Sequence, residues 1–159
     1  MTIRKRQIQA NYLKVNDKYE LLGTGFTELN ENPGAQSASK RYINQSSAIQ
    51  SVTGYEWNTS FNADQILSEA AIEHIKSVGE MQKTGVDSEA EYIIVDLDKP
   101  AETTGFRARK LKVAIAVEAF EATEGELGMT GSFLGISDPI EGTFDTNEKT
   151  FKEGFKLKA

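Results

Sequence analysis

One run constrains this chain more than any other, the thirteen residues Phe106-Arg107-Ala108-Arg109-Lys110-Leu111-Lys112-Val113-Ala114-Ile115-Ala116-Val117-Glu118. Leu111, Val113, Ile115 and Val117 fall at a period of two, with Lys110, Lys112, Ala114, Ala116 and Glu118 between them. A helix would scatter those apolar residues around its axis, whereas a strand puts them all on one face. The run is therefore expected to be a long strand of a sheet with one buried face. The opposite face mixes charges with small alanines, which suits a wetted surface or the close approach of another chain. Catalytic residues usually sit on loops carried by a scaffold. Here the best-specified part is the scaffold, which points toward assembly.

The last third of the chain adds a second signal. Gly142-Thr143-Phe144-Asp145-Thr146-Asn147-Glu148-Lys149-Thr150-Phe151 reads as a hairpin turning at Asn147-Glu148. That symmetry sets Phe144 opposite Phe151, a cross-strand pair that fixes register and contributes about 0.2–1 kcal/mol. Upstream, Asn16-Asp17 is expected to turn between strands at Tyr12–Val15 and Tyr19–Thr27, with further strands at Lys40–Asn44, Ser51–Phe61, Tyr92–Leu97 and Leu127–Leu134. In Ser51–Phe61 the residues Thr53, Tyr55, Trp57, Thr59 and Phe61 share a face, and an aromatic row of this kind is more often core or interface than ligand platform. Residues 28–39 lack periodicity and are rich in turn formers, so a long loop that orders against another subunit is expected.

One helix is expected, over Ala63–Val78. Asn62 and Gln65 have capping-pair spacing, and Ile66, Leu67, Ala70, Ala71, Ile75 and Val78 form a stripe. Gly79 reads as its stop.

At 159 residues the chain suits one domain. It has no cysteine, which removes disulfides, thiolate metal sites and cysteine nucleophiles. The formal charge of −6 argues against general nucleic-acid binding through a broad basic face. The charge is uneven, at +3 over residues 1–50, −8 over 51–105 and −1 over 106–159. Such an arrangement suits a basic end meeting an acidic middle between copies, and equally a chance segregation of charge on a solvated surface. No run has the length of a membrane span, and no apolar stretch follows the basic start Met1–Arg6, so neither membrane insertion nor a secretory leader is expected.

Constellations for chemistry are weak. His74 is the single histidine and stands without a nucleophile motif, so a packing or surface role is expected. Gly23-Thr24-Gly25 lacks the third glycine and the following helix of a dinucleotide loop. Asp96-Leu97-Asp98 places two carboxylates on one side of a strand end, read as surface charge in preference to a cation site. The basic residues Arg107, Arg109, Lys110 and Lys112 are expected to meet acidic residues of a neighbouring subunit. No catalytic, cofactor-binding or metal-binding residue is assigned, and the chain is not expected to be an enzyme.

Across its whole length the chain resembles the phage major tail proteins, which form the tail tube of long-tailed phages and share their fold with type VI secretion tube proteins. The resemblance rests on the order of strands, single helix, acidic loop and strands, and on the segment 28–39. It rests also on Gly128-Met129-Thr130-Gly131-Ser132-Phe133, Glu141-Gly142-Thr143-Phe144-Asp145 and Lys149-Thr150-Phe151. It implies a mainly β fold of two packed antiparallel sheets, a sandwich or half-barrel, with one flanking helix. It implies one domain over 1–159 with an N-terminal arm at 1–10, a stacking loop at 28–39 and a C-terminal arm at 152–159. Copies would join into rings of six, and rings would stack into a tube whose lumen conducts double-stranded DNA without specific binding. The other expected partners are the tape measure, tail tip and terminator proteins, and the location is the virion tail, assembled in the host cytoplasm. Inter-ring contacts would fall at Asn30, Glu31, Asn32, Pro33, Gly34 and Gln36. The inter-subunit or lumen sheet would use Leu111, Lys112, Val113, Ala114, Ile115 and Ala116, and the arms Arg4, Lys5, Arg6, Lys156 and Lys158. The competing reading is a monomeric β-sandwich that binds carbohydrate or mediates adhesion, with Tyr55 and Trp57 as its platform.

Overall fold

The alternation of Phe106–Glu118 is the axis of the molecule. A computed structural model describes all residues, 1–159. The strands are β1 (Gln9–Val15), β2 (Lys18–Leu21), β3 (Phe26–Asn32), β4 (Ala35–Lys40), β5 (Ile49–Tyr55), β6 (Asn58–Asp64), β7 (Glu89–Pro100), β8 (Phe106–Thr123), β9 (Glu126–Gly135), β10 (Ile140–Asp145) and β11 (Thr150–Glu153). One helix, α1 (Ala70–Glu80), interrupts them. All pairings are antiparallel, in a sheet of order β2-β1-β7-β8-β9-β6-β3 with β10 and β11 attached through β8, plus a separate β4–β5 ribbon. The architecture is the expected mainly β half-barrel with one flanking helix, and the second sheet is the small ribbon.

β8 is long because it serves two partners along one edge. Its second half pairs with β9 and its first half with β10. The gap between those partners is spliced at Lys112, whose N–H donates to Ser137 Oγ at 2.9 Å and whose carbonyl accepts from Ile136 at 2.9 Å. The sheet therefore keeps its backbone bonds satisfied while the chain changes direction.

The main core lies inside the curl. It joins Leu13 and Val15 of β1 to Phe61 and Ala63 of β6, strands near opposite ends of the sheet, with Leu111, Val113 and Ile115 of β8 between them. Ala71, Ile72, Ile75 and Val78 of α1 close it from one side. A smaller core forms on the reverse face, where Tyr12, Ile93, Val95 and Ala108 meet Phe144. Phe144 stands opposite Phe151 and Phe106 in register, and its ring lies 4.6 Å from that of Tyr12. β7 has a core on each side, so Tyr92 through Asp96 are all buried.

The helix is shorter than its stripe suggested. Residues 58–64 are strand β6, and Gln65 N–H still donates to Leu127 O at 3.0 Å, which holds the chain against β9. Sheet pairing overrides helical spacing there. Gly79 is inside α1, not beyond it. A Cβ on it would lie 2.8 Å from Val117 Cβ, so the glycine allows the helix to approach β8.

Candidate functional site

The strand expected over Ser51–Phe61 is broken at Glu56–Trp57, and the loop expected over 28–39 is largely extended. Together they form one long hairpin. Its base, β3 with β6, belongs to the main sheet, and its far half, β4 with β5, leaves it. The bend falls where Pro33-Gly34 faces Glu56-Trp57. Gly34 has φ +68° and donates nothing but space there, since a Cβ would overlap Glu56 O, while Glu56 N–H donates to Gly34 O at 2.9 Å.

The β4–β5 ribbon is the least buried element. All six residues of β4 are exposed, and in β5 only Gly54 is partly covered. Val52 and Tyr55 are 59% and 67% exposed, and Ile43 at the tip is wholly in solvent. Two strands alone are marginal in water, and this pair shows an open edge on each side. Residues 35–55 contain Lys40 and Arg41 and no aspartate or glutamate. The ribbon is therefore +2 on a chain of −6, which leaves −8 on the rest.

Where the hairpin base meets the sheet, side chains form a dense ion network. Glu31 of β3 receives both Arg109 guanidinium nitrogens, at 2.8 and 3.0 Å, and the Trp57 indole N–H at 2.6 Å. Thr59, opposite Glu31 across the pair, keeps its hydroxyl buried without a partner. Asp96 accepts from Arg107 at 2.7 Å and Arg4 at 3.1 Å, and Arg4 also grips Asp98 at 2.9 and 3.0 Å. Arg6 donates to Asn11 at 2.6 Å, which donates to the buried Tyr92 hydroxyl at 2.6 Å. Burial pushes the Asp96 carboxyl pKa up, but Arg107 and Arg4 outweigh it and hold the group below its ordinary value. Glu31 behaves alike, with burial opposed by Arg109 and Trp57 and the net shift downward. Every charge here has a fixed partner, so the network holds the hairpin base and the N-terminal segment on the sheet.

The expected site residues divide accordingly. Asn30, Asn32, Pro33 and Gln36 are exposed along the hairpin, with Gly34 at its bend. Glu31 is reassigned, since its carboxylate is bound inside the half-barrel. Of the six residues in β8, Leu111, Val113 and Ile115 belong to the core, and only Lys112, Ala114 and Ala116 point outward. The basic cluster finds its acidic partners within the chain. Arg107 takes Asp96 and Glu141, Arg109 takes Glu31, Lys110 reaches Glu91 at 3.2 Å and Lys112 reaches Glu89 at 3.3 Å. Asp96 and Asp98 are bound by arginine, not left as solvated charge. Of the arm residues, Arg4 and Arg6 are tied to the sheet and Lys5 is exposed. Lys156 pairs with Glu102 at 3.4 Å, and Lys158 N–H donates to Pro100 O at 3.0 Å. His74 is half-buried on α1, its pKa lowered by burial and by Lys83. Trp57 lies tilted against Tyr92, ring centroids 5.7 Å apart, with its N–H occupied by Glu31, a geometry unlike an open sugar platform.

The tip Arg41-Tyr42-Ile43, expected within a strand over Lys40–Asn44, is exposed and lies outside any strand. The sequence signal that sets its segment apart is the absence of acidic residues over 35–55.

No protein-family model matches the sequence, and a search of curated proteins finds no match. Among solved structures, the chain is similar to one in the cryo-electron-microscopy structure of the anti-feeding prophage (AFP) baseplate, 6-fold symmetrised. The two share 9% identity with a TM-score of 0.52 over 89% of this chain and 96% of the other. The likeness is one of fold, and it spans nearly all of both chains.

Proposed function

We propose that the protein is a structural, non-catalytic subunit of a phage-tail-like particle, and specifically a tail-tube subunit that forms stacked rings. The observation that carries this reading is the β4–β5 ribbon. A two-stranded element with apolar residues in solvent and two open edges lowers its free energy by joining another chain. The fold shared with a chain of the AFP baseplate supports the same reading, and the 6-fold symmetry of that assembly favours rings of six. The helix-free outer face of the sheet suits a lumen. Ala116, Ser132 and Ser60 form one row of small uncharged residues across it, and Ala114, Leu134 and Asn58 form a second uncharged row, with Lys112 as the cation beyond them. A net negative subunit gives double-stranded DNA no attractive surface on which to stall. Tape measure, tip and terminator proteins would bound such a tube.

The test is assembly. Electron microscopy of concentrated protein should show rings or tubes. A variant in which residues 34–56 are replaced by Asn-Gly, joining β3 to β6 by a two-residue turn, should keep its fold and remain monomeric. A shortened variant that still polymerises would remove the ribbon from the mechanism.

A further inference from the structure

The proposed assembly needs a surface that receives the ribbon, and the chain carries one at its other end. The register of the sheet fixes the two ends. Asn58 pairs with Leu134 beside the ribbon, and six residues along β6 Asp64 pairs with Gly128 near the β8–β9 turn at Glu124-Gly125. At that far end lies an open groove of about 810 Å³ between α1 and the ends of β6, β8 and β9. Its apolar residues are Ile66, Leu67, Phe120 and Leu127, and Leu67 and Leu127 are more than half exposed. Its rim is acidic, with Asp64, Glu80 and Glu126, and an adjoining cleft adds Glu121 and Glu124. The one cation present, Lys76, is neutralised by Glu73 at 3.6 Å and Glu80 at 3.5 Å.

The ribbon tip has the opposite character. Lys40 and Arg41 supply two positive charges, and Lys40 sits over the Tyr42 ring at 5.0 Å. Tyr42 and Ile43 present exposed apolar surface beside them. From Pro33 to Arg41 the chain extends about 25 Å at roughly 3.3 Å per residue, enough to enter a neighbouring molecule. We propose that the groove lined by Leu67, Phe120 and Leu127 receives the Lys40–Ile43 tip of a second copy of this chain, head to tail. Apolar side chains fill the floor, and the two cations meet the acidic rim. Complementary patches at opposite ends of one chain make a heterologous contact, which propagates along an axis and does not close into a dimer. The pairing rests on the assembly reading and supplies its axial contact.

The chain has no cysteine, so paired thiols can be placed at will. In the full-length Ile43→Cys/Leu67→Cys variant a short bismaleimide should yield a ladder of covalent multimers, and each single variant, with no thiol opposite its own across a head-to-tail contact, should stay monomeric on the same treatment. Reversing the tip with Lys40→Glu/Arg41→Glu should abolish assembly. So should reversing the rim with Glu80→Lys/Glu126→Lys, and combining all four changes should restore it. These positions are exposed, and circular dichroism would confirm folding. Tubes that form normally from both reversed variants, without a 43–67 ladder, would overturn the groove while leaving assembly intact. A wild-type chain that stays monomeric at every concentration would overturn both.

Discussion

Glu31 shows what a single residue can hide. In the sequence it stands in a polar stretch and looks like surface. In the folded chain its partner Arg109 lies 78 positions away, and no local pattern announces such a pair. Phe144 is the opposite case. Its partner Phe151 follows from the symmetry of one short turn, and the structure pairs the two although the loop spans four residues, with Asp145 Oδ1 accepting from Asn147 and Glu148. Replacing Phe144 by alanine empties the smaller core and should cost about 3–5 kcal/mol, read by chemical denaturation. Arg109→Met leaves Glu31 with the indole alone. For a pair about a quarter exposed this should cost roughly 1–2 kcal/mol, below the figure for a fully buried pair.

The same residues set the response to acid. Asp96 and Glu31 have folded-state pKa values below their ordinary 3.8 and 4.5. Their stabilisation is complete above those ordinary values and is lost as pH falls below them toward the folded values. The denaturation midpoint of wild type should therefore fall steeply below about pH 4. In Glu31→Gln that slope should be shallower, and an unchanged slope would show that Glu31 does not carry it.

Elements were legible where periodicity was local and unopposed. β8 kept its predicted alternation because its pattern and its burial agree. The helix did not begin where its stripe began, since Ala63 is a core residue opposite Met129 and only pairing with a strand 66 positions downstream decides that. The break at Glu56–Trp57 was illegible for a similar reason, because it is imposed by the bend at Gly34 across the hairpin. Gly79 has the sequence signature of a helix stop, a role glycine commonly plays, but in the fold it lies within α1 as a contact to β8. Glycine to alanine within a helix ordinarily gains about 0.5–1 kcal/mol. Here the added methyl meets Val117 Cβ at 2.8 Å and a Phe120 ring carbon at 2.9 Å. Gly79→Ala should therefore destabilise the protein, and a raised melting temperature would show that α1 can move away from β8 at little cost.

At the scale of the whole molecule, burial runs along a gradient. β7 lies between two cores, β8 joins both halves of the sheet, and the ribbon is covered by nothing. The two-sided burial of β7 could be suspected from the unbroken run Tyr92–Val95, but the strand that covers its reverse face comes from the far end of the chain. That topology has no short-range signature. The gradient gives a measurable order of opening, because amide exchange follows the local free energy of exposing each hydrogen bond. In dilute protein the amides of residues 35–55 should exchange fastest among the strands, and those of Tyr92–Val95 and Leu111–Ile115 slowest. On assembly the ribbon amides should become protected while those of β7 hardly change. If the ribbon were already slow in the monomer, some internal contact would be stabilising it, and its exposure would no longer favour a partner. If it stayed fast in assembled material, the subunits would be joined through another surface.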